Sequence, residues 1–249
     1  MTPGAKGLNR EQLKYLAAAL MLMDHIINVF PVCSGAVFTL LDGLSHFTFV
    51  TMSFFLVQGM RYTHSSKQYA ERLLIFALIS QLPYMLAFSK GVYEGAASPN
   101  VLVNFFVTFI MLRAYESVEN KPLRTLIISV CVLISLFCDC SCLIPISALL
   151  FHRAGEDRGL LAKAYLTMVL LMCVNGAAIA FEQKKNLPLC LFSESWGIAL
   201  SGLLIVKCYN GRKTQGHERL NKWFFYIFYP AHLLIIGIIR YITIHPTLF

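Results

Sequence analysis

Apolar positions along this chain fall into runs of about 16 to 24 residues, separated by short polar segments rich in Lys and Arg. A helix of roughly 20 apolar residues crosses the ~30 Å hydrocarbon core of a bilayer. The pattern predicts nine helices, at 11–30, 44–62, 69–89, 99–117, 122–138, 141–153, 159–182, 191–208 and 221–243. The sixth is the shortest, an apolar stretch around Pro145 that is short enough to be re-entrant. The expected fold is all-α: a polytopic transmembrane helix bundle of about nine spans, forming one integral membrane domain over residues 1–249. The opening stretch MTPGAKGLNREQLK lacks a signal peptide's apolar core and small-residue cleavage site, so the first span is expected to be retained.

The charges test this count. With the N-terminus cytoplasmic, the inner segments collect Lys6, Arg10 and Lys14, then Arg61, Lys67 and Arg72, then Arg113, Lys121 and Arg124. Arg153, Arg158 and Lys163 follow, and then Lys207, Arg212, Lys213, Arg219 and Lys222. Only Lys90, Lys184, Lys185 and Arg240 fall on the other side. One missed helix would invert every later segment, so the alternation argues for a cytoplasmic N-terminus and an extracytoplasmic C-terminus. Composition agrees: 57% of residues are hydrophobic and 14% charged, where a soluble domain carries about a quarter charged residues. The net charge of +8 follows from this topology and does not call for a nucleic-acid partner. No inverted repeat of the kind found in many secondary transporters is evident.

Polar residues inside the spans carry the candidate chemistry. In LKYLAAALMLMDHIINVF, residues 13–30, Asp24 and His25 interrupt an otherwise apolar helix roughly 21 Å above its cytoplasmic end. Lys14 precedes His25 by eleven residues, which puts the two on one face roughly 16 Å apart, whereas Asp24 points about 100° away from His25. An ionisable pair at this depth faces the bundle interior or a wet cavity. His46, Asn100, Asn104, Asn175 and Glu194 fall in the outer half, and His232 of FYPAHLLII lies near mid-membrane. Singly, each reads as a satisfied contact across helices; together they suggest a polar cavity opening outward. Arg61, Arg72 and Arg113 sit at cytoplasmic helix ends. Topology alone puts basic residues there, and a phosphate-binding mouth for a nucleotide-like head group is the functional alternative.

Cys138, Cys140 and Cys142 alternate at an outer turn, with Cys33 and Cys190 near the same face. The spacing is not that of a zinc site, and no metal is expected. Disulfides and small apolar packing residues both remain open. There is no P-loop, Rossmann glycine pattern, zincin motif or nucleophile elbow.

The chain resembles the TraX family of membrane proteins, named for a conjugative-pilin N-acetyltransferase. The resemblance rests on residues 13–30, on SFFLVQGMRYTHSSKQYAERLLIFALISQLPYMLAF at 53–88, on PNVLV at 99–103 and on YNGRKTQGHERLNKWFFYIFYPAHLLII at 209–236. TraX proteins are in turn similar to transmembrane acyltransferases, including acyltransferase family three and the heparan-glucosaminide N-acetyltransferases. In that group a basic or polar residue precedes a catalytic His by ten intervening positions, as Lys14 precedes His25. Two elements depart from the family pattern: CDCSCLIP retains only Asp139 of an Asp-Tyr-Gly-like element, and VQG with Gln58 replaces VEG.

The resemblance implies a transmembrane acetyltransferase of the bacterial plasma membrane. Acetyl-CoA, its acyl donor, would be held through its phosphates by Lys14, Arg61, Arg72 and Arg113. His25, assisted by Asp24, would act as general base. His46, Asn104 and His232 are candidates for substrate or oxyanion contacts. The acceptor would be an amine or hydroxyl on a peptide, amino sugar or glycan, with membrane lipid around the bundle. The alternatives are a proton-coupled transporter or flippase using the Asp-His pair as a proton relay, and a non-catalytic membrane assembly factor.

Overall fold

The computed structural model describes residues 7–30, 32–88, 98–212 and 218–244. The helices are α1 (Arg10–Val29), α2 (Gly35–Tyr62), α3 (Ser66–Phe88), α4 (Val101–Ser117) and α5 (Lys121–Ser135), then α6 (Leu143–Ala154), α7 (Arg158–Glu182), α8 (Leu187–Leu203) and α9 (Glu218–Ile244). A π-helical segment, Leu204–Cys208, continues α8 and ends where the Tyr209 N–H donates to the Leu204 carbonyl. Each predicted helix has its counterpart, and among the described residues there is no strand, only an isolated bridge between Leu8 and Tyr209.

Short polar side chains set most of the helix starts. Asn9 and Gln12 form a reciprocal capping box, each side chain accepting the other's backbone N–H at 2.9 Å. Asn100, Asn120, Asp157 and Asn186 accept first-turn N–H groups of α4, α5, α7 and α8, and Pro122 and Pro188 occupy first-turn positions that need no donor. Replacing Asn9 by alanine removes one arm of the box and is expected to cost about 1 kcal/mol, read as a lowered thermal midpoint of the detergent-solubilised protein.

Two boundaries differ from the sequence expectation. Helix α2 begins at Gly35, nine residues before the predicted 44, because Asp42 and Gly43 lie inside the helix. Gly35 supplies a φ of +60° at its start. Helix α5 stops at Ser135, and residues 136–142 form a turn with φ of 57° at Cys140 and 42° at Ser141. No disulfide joins the cysteines.

Among the described residues, five helices are long and apolar enough to cross a membrane: Gly35–Tyr62, Ser66–Phe88, Arg158–Glu182, Leu187–Cys208 and Trp223–Thr243. The remaining predicted spans do not meet the same measure. Helix α1 carries Arg10, Glu11, Lys14 and Asp24, while α4, α5 and α6 run only 17, 15 and 12 residues. Large apolar side chains stand outward on the crossing helices, among them Leu78 and Leu82 on α3 and Val174 and Phe181 on α7, the last 90% exposed. In water such faces would associate; in lipid they are matched to their surroundings.

The chain divides into two compact units. The first holds the described residues up to Met52 together with Arg153–Phe225, around Leu13, Phe47, Val50, Met168 and Ile198. Here α2 and α8 meet backbone to backbone: a Cβ on Gly43 would overlap the Ser193 carbonyl, and one on Gly197 would overlap the Gly43 carbonyl. Trp196 Nε1 donates to Leu40 O at 3.1 Å beside this crossing. Thr51 and Ser201 hydroxyls meet at 2.7 Å, and Thr48 donates to Ala17 O of α1 at 3.0 Å. The second unit runs from Ser53 to His152 and resumes at Tyr226, around Phe54, Phe109, Leu112, Ile144, Phe151 and Leu233. In it, Asn100 Nδ2 donates to Ala77 O at 2.8 Å, tying α4 to α3, and Arg240 of α9 donates to Ala87 O at 3.0 Å.

Candidate functional site

In the first unit, the Thr48 bond to Ala17 O and burial of Leu13 and Ala17 fix the rotation of α1 against α2. That rotation leaves His25 buried, with 9% of its side chain exposed, and Asp24 beside it with 22%. His25 Nε2 lies 4.0 Å from Asp24 Oδ2. Sequence spacing sends neighbouring side chains about 100° apart on a helix; here side-chain torsions bring them within ion-pair reach. The separation is too long for a hydrogen bond, so the carboxylate acts on the imidazole through its field.

Asn28, one turn on, holds the carboxylate in place. Its Nδ2 donates to Asp24 Oδ1 at 2.8 Å, to Asp24 O at 3.0 Å and to Asp42 Oδ1 of α2 at 3.3 Å. Asn28 and Asp42 were not singled out in the sequence, although the i, i+4 spacing of Asp24 and Asn28 was readable; Asp42 comes close only because α2 starts early. Lys14 Nζ sits 5.0 Å from the centroid of the Phe225 ring, eleven residues before His25 on α1.

His46 Nδ1 lies 2.9 Å from Glu194 O, and Glu194 Oε2 in turn accepts from Asn175 at 3.0 Å. In the second unit, His232 Nδ1 lies 2.7 Å from Phe228 O and its ring stacks on Phe228 at 4.7 Å. A carbonyl can only accept, so both imidazoles carry their proton on Nδ1 and present Nε2 as a lone pair when neutral. An oxyanion contact from either ring would therefore require the protonated form. Asn104 directs both amide protons elsewhere, to Asp139 O and Ser141 O at 2.8 Å each, so it braces the α5–α6 turn and has no N–H left for an oxyanion.

The cationic candidates of the second unit divide into a network and one side chain apart. Arg61 Nη2 donates to His152 O at 2.8 Å; His152 Nε2 lies 3.7 Å from Glu116 Oε1; Arg113 Nη1 binds Glu116 Oε2 at 2.8 Å. Tyr115 packs edge-on against His152 and lies under Arg124. Arg72 stacks on Tyr69 at 5.8 Å, and its buried Nε has no hydrogen-bond partner among the described residues. Glu116 and His152 escaped the sequence reading because they belong to helices far apart in sequence from Arg61. Lys6, Lys90 and Lys213, and the side chains of Arg219 and Lys222, lie outside the described residues. Among the described residues no group of three or more His, Cys, Asp or Glu is placed to hold a metal ion.

The chain is 27% identical over 231 residues to the probable fimbrial assembly protein FimC, serogroup H1, of Dichelobacter nodosus, covering 90% of this chain and 93% of the relative. No solved structure matches it. The model of the TraX protein family matches residues 9–240, nearly the whole chain. The chain belongs to the TraX family.

Proposed function

We propose that the protein is a membrane acetyltransferase that moves an acetyl group from cytoplasmic acetyl-CoA to an amine or hydroxyl in the outer half of the bacterial plasma membrane. The observation that carries this reading is the buried His25 beside Asp24 in the apolar first helix of a TraX-family chain. A nine-span arrangement with the N-terminus inside completes the proposal, since it sets Arg61, Arg72 and Arg113 on the cytoplasmic side. The FimC relative, named as a fimbrial assembly protein, supports an acceptor among the amines of a surface fibre subunit.

In the proposed reaction the acceptor nitrogen attacks the thioester carbonyl while the His25 lone pair takes the nitrogen's proton. The C–S bond breaks, the thiolate leaves as CoA, and the imidazolium returns its proton to that sulfur. Asp24, held by Asn28, stabilises the imidazolium in between. Only the acetyl group travels outward, so the phosphates of the donor never enter hydrocarbon.

Arg72 fits a phosphate best, because its buried Nε has no hydrogen-bond partner among the described residues and a guanidinium grips phosphate oxygens in pairs. Arg72→Ala is expected to weaken CoA binding about tenfold, equivalent to ~1.4 kcal/mol, in equilibrium binding to the purified protein. Unchanged affinity would remove Arg72 from the donor site. Absence of any CoA binding by the wild-type protein, together with proton-coupled uptake in vesicles, would replace the acetyltransferase with a transporter.

A further inference from the structure

The proposed reaction gives roles to His25, Asp24 and Asn28 of α1 and leaves Asp42 of α2 without one. Asp42 is half-buried inside an apolar helix, seven residues after its start at Gly35. Asn28 Nδ2 lies 2.8 Å from Asp24 Oδ1 and 3.3 Å from Asp42 Oδ1, so the two carboxylate oxygens are no farther apart than these distances together allow. Like charges at that range repel, and each disfavours ionisation of the other. The amide between them supplies the compensating donors.

Asn28 Nδ2 carries two protons and has three acceptors around it: Asp24 Oδ1, Asp24 O at 3.0 Å and Asp42 Oδ1. A main-chain carbonyl and ionised carboxylates can only accept, which fixes the amide with Nδ2 toward them. Two of the three acceptors belong to Asp24, one turn back on the same helix. They move with α1 and give the amide no reference outside it. Among the described residues, Asp42 supplies the one hydrogen bond of the Asn28 side chain that comes from another helix. That reference is fixed, because Thr48 of α2 donates to Ala17 O of α1 at 3.0 Å.

We propose that Asp42 is a positioning residue: acting through Asn28, it fixes the Asp24 carboxylate beside the His25 imidazole. The contacts run from Asp42 to Asn28, to Asp24 and to His25, across α1 and α2 within the first unit. No hydrogen bond spans the 4.0 Å between Asp24 Oδ2 and His25 Nε2. The field of the carboxylate at the ring therefore depends on where its other contacts hold it, and it weakens as the carboxylate swings away. The effect on rate rests on the acetyltransferase reading; the hold of Asp42 on Asn28 does not.

The test uses the full chain purified in detergent. Asp42→Ala removes the acceptor, whereas Asp42→Asn keeps an oxygen for Asn28 and removes the charge. Acceptor-dependent CoA release is expected to fall about fivefold in Asp42→Ala, the effect of one hydrogen bond of ordinary net strength, with the KM for acetyl-CoA unchanged. Asp42→Asn is expected to restore most of the lost rate. In an Asn28→Ala background, Asp42→Ala is expected to cause no further loss, as required when one residue acts through the other. A second readout needs no turnover. In protein isotope-labelled at asparagine, the nuclear magnetic resonance signals of the Asn28 amide are identified by their absence in Asn28→Ala. They are expected to move in Asp42→Ala and to return close to their wild-type positions in Asp42→Asn. Melting midpoints near that of wild type certify that the variants are folded. Additive losses from Asp42→Ala and Asn28→Ala, or a loss in Asp42→Asn as large as in Asp42→Ala, overturn the proposal. Unmoved Asn28 signals in folded Asp42→Ala overturn it even where the rate falls. Asn28 signals that follow Asp42 as expected, in a wild-type protein that transfers no acetyl group, would refute the acetyltransferase and leave the hold of Asp42 on Asn28 standing.

Discussion

Replacing His25 by alanine is expected to lower acceptor-dependent CoA release by roughly 10²–10⁴-fold, the range by which a positioned general base accelerates a reaction. The effect is large because no other base in the described part of the first unit is arranged as His25 is, buried with a carboxylate 4.0 Å from Nε2. His46 has its lone-pair nitrogen, but its Nδ1 faces a main-chain carbonyl with no carboxylate ion-paired to the ring. Binding of CoA is expected to survive, because the substitution removes no cationic side chain. Asp24→Asn keeps the Asn28 contact region's shape while removing the charge, and about a tenfold loss of rate is expected from losing one charge-stabilising neighbour. Equal rates in wild type and His25→Ala would exclude His25 as the base.

The second large effect is on folding. Gly197→Val is expected to leave little folded protein in detergent extracts. Overpacking a core side chain costs typically ~1–3 kcal/mol, but here the added carbons meet main chain, which cannot swing aside. The Gly43 carbonyl and the Phe47 nitrogen would both lie within about 3.0 Å of a Cβ at Gly197. The same crossing positions His46 through Glu194 O and Trp196 through Leu40 O, so its disruption removes several bonds together. A melting midpoint and yield equal to wild type would show that α2 and α8 do not touch at these glycines. Gly35→Ala lies where nothing approaches within 4 Å; its strain is limited to the left-handed φ, which makes it a milder control.

The helical content was legible because the apolar runs and their punctuation agree. Asn9, Asn120, Asp157 and Asn186 each precede an apolar run and each caps it. The start of α2 was not legible. Asp42-Gly43 reads as a turn by local preference, yet Asp42 is satisfied by Asn28 of another helix and Gly43 is needed for contact with α8. Tertiary partners overrode the local signal. The same reason hid the surroundings of the basic residues. Arg61 and Arg113 were visible at helix ends, but their link through His152 and Glu116 depends on helices more than thirty residues apart. Helical phase set Asp24 about 100° away from His25, although the two side chains end 4.0 Å apart. Helical phase gives the direction of a side chain's first bond and not where its torsions carry the end.

The central claim is that this chain transfers an acetyl group from CoA. The direct measurement incubates purified protein, in detergent and then in vesicles, with acetyl-labelled acetyl-CoA and primary-amine acceptors. It follows label and free CoA together. The account predicts equal amounts of acetylated amine and released CoA, in wild type and not in His25→Ala. Wild-type protein that binds acetyl-CoA yet leaves the label on it, with every acceptor offered, would contradict the account.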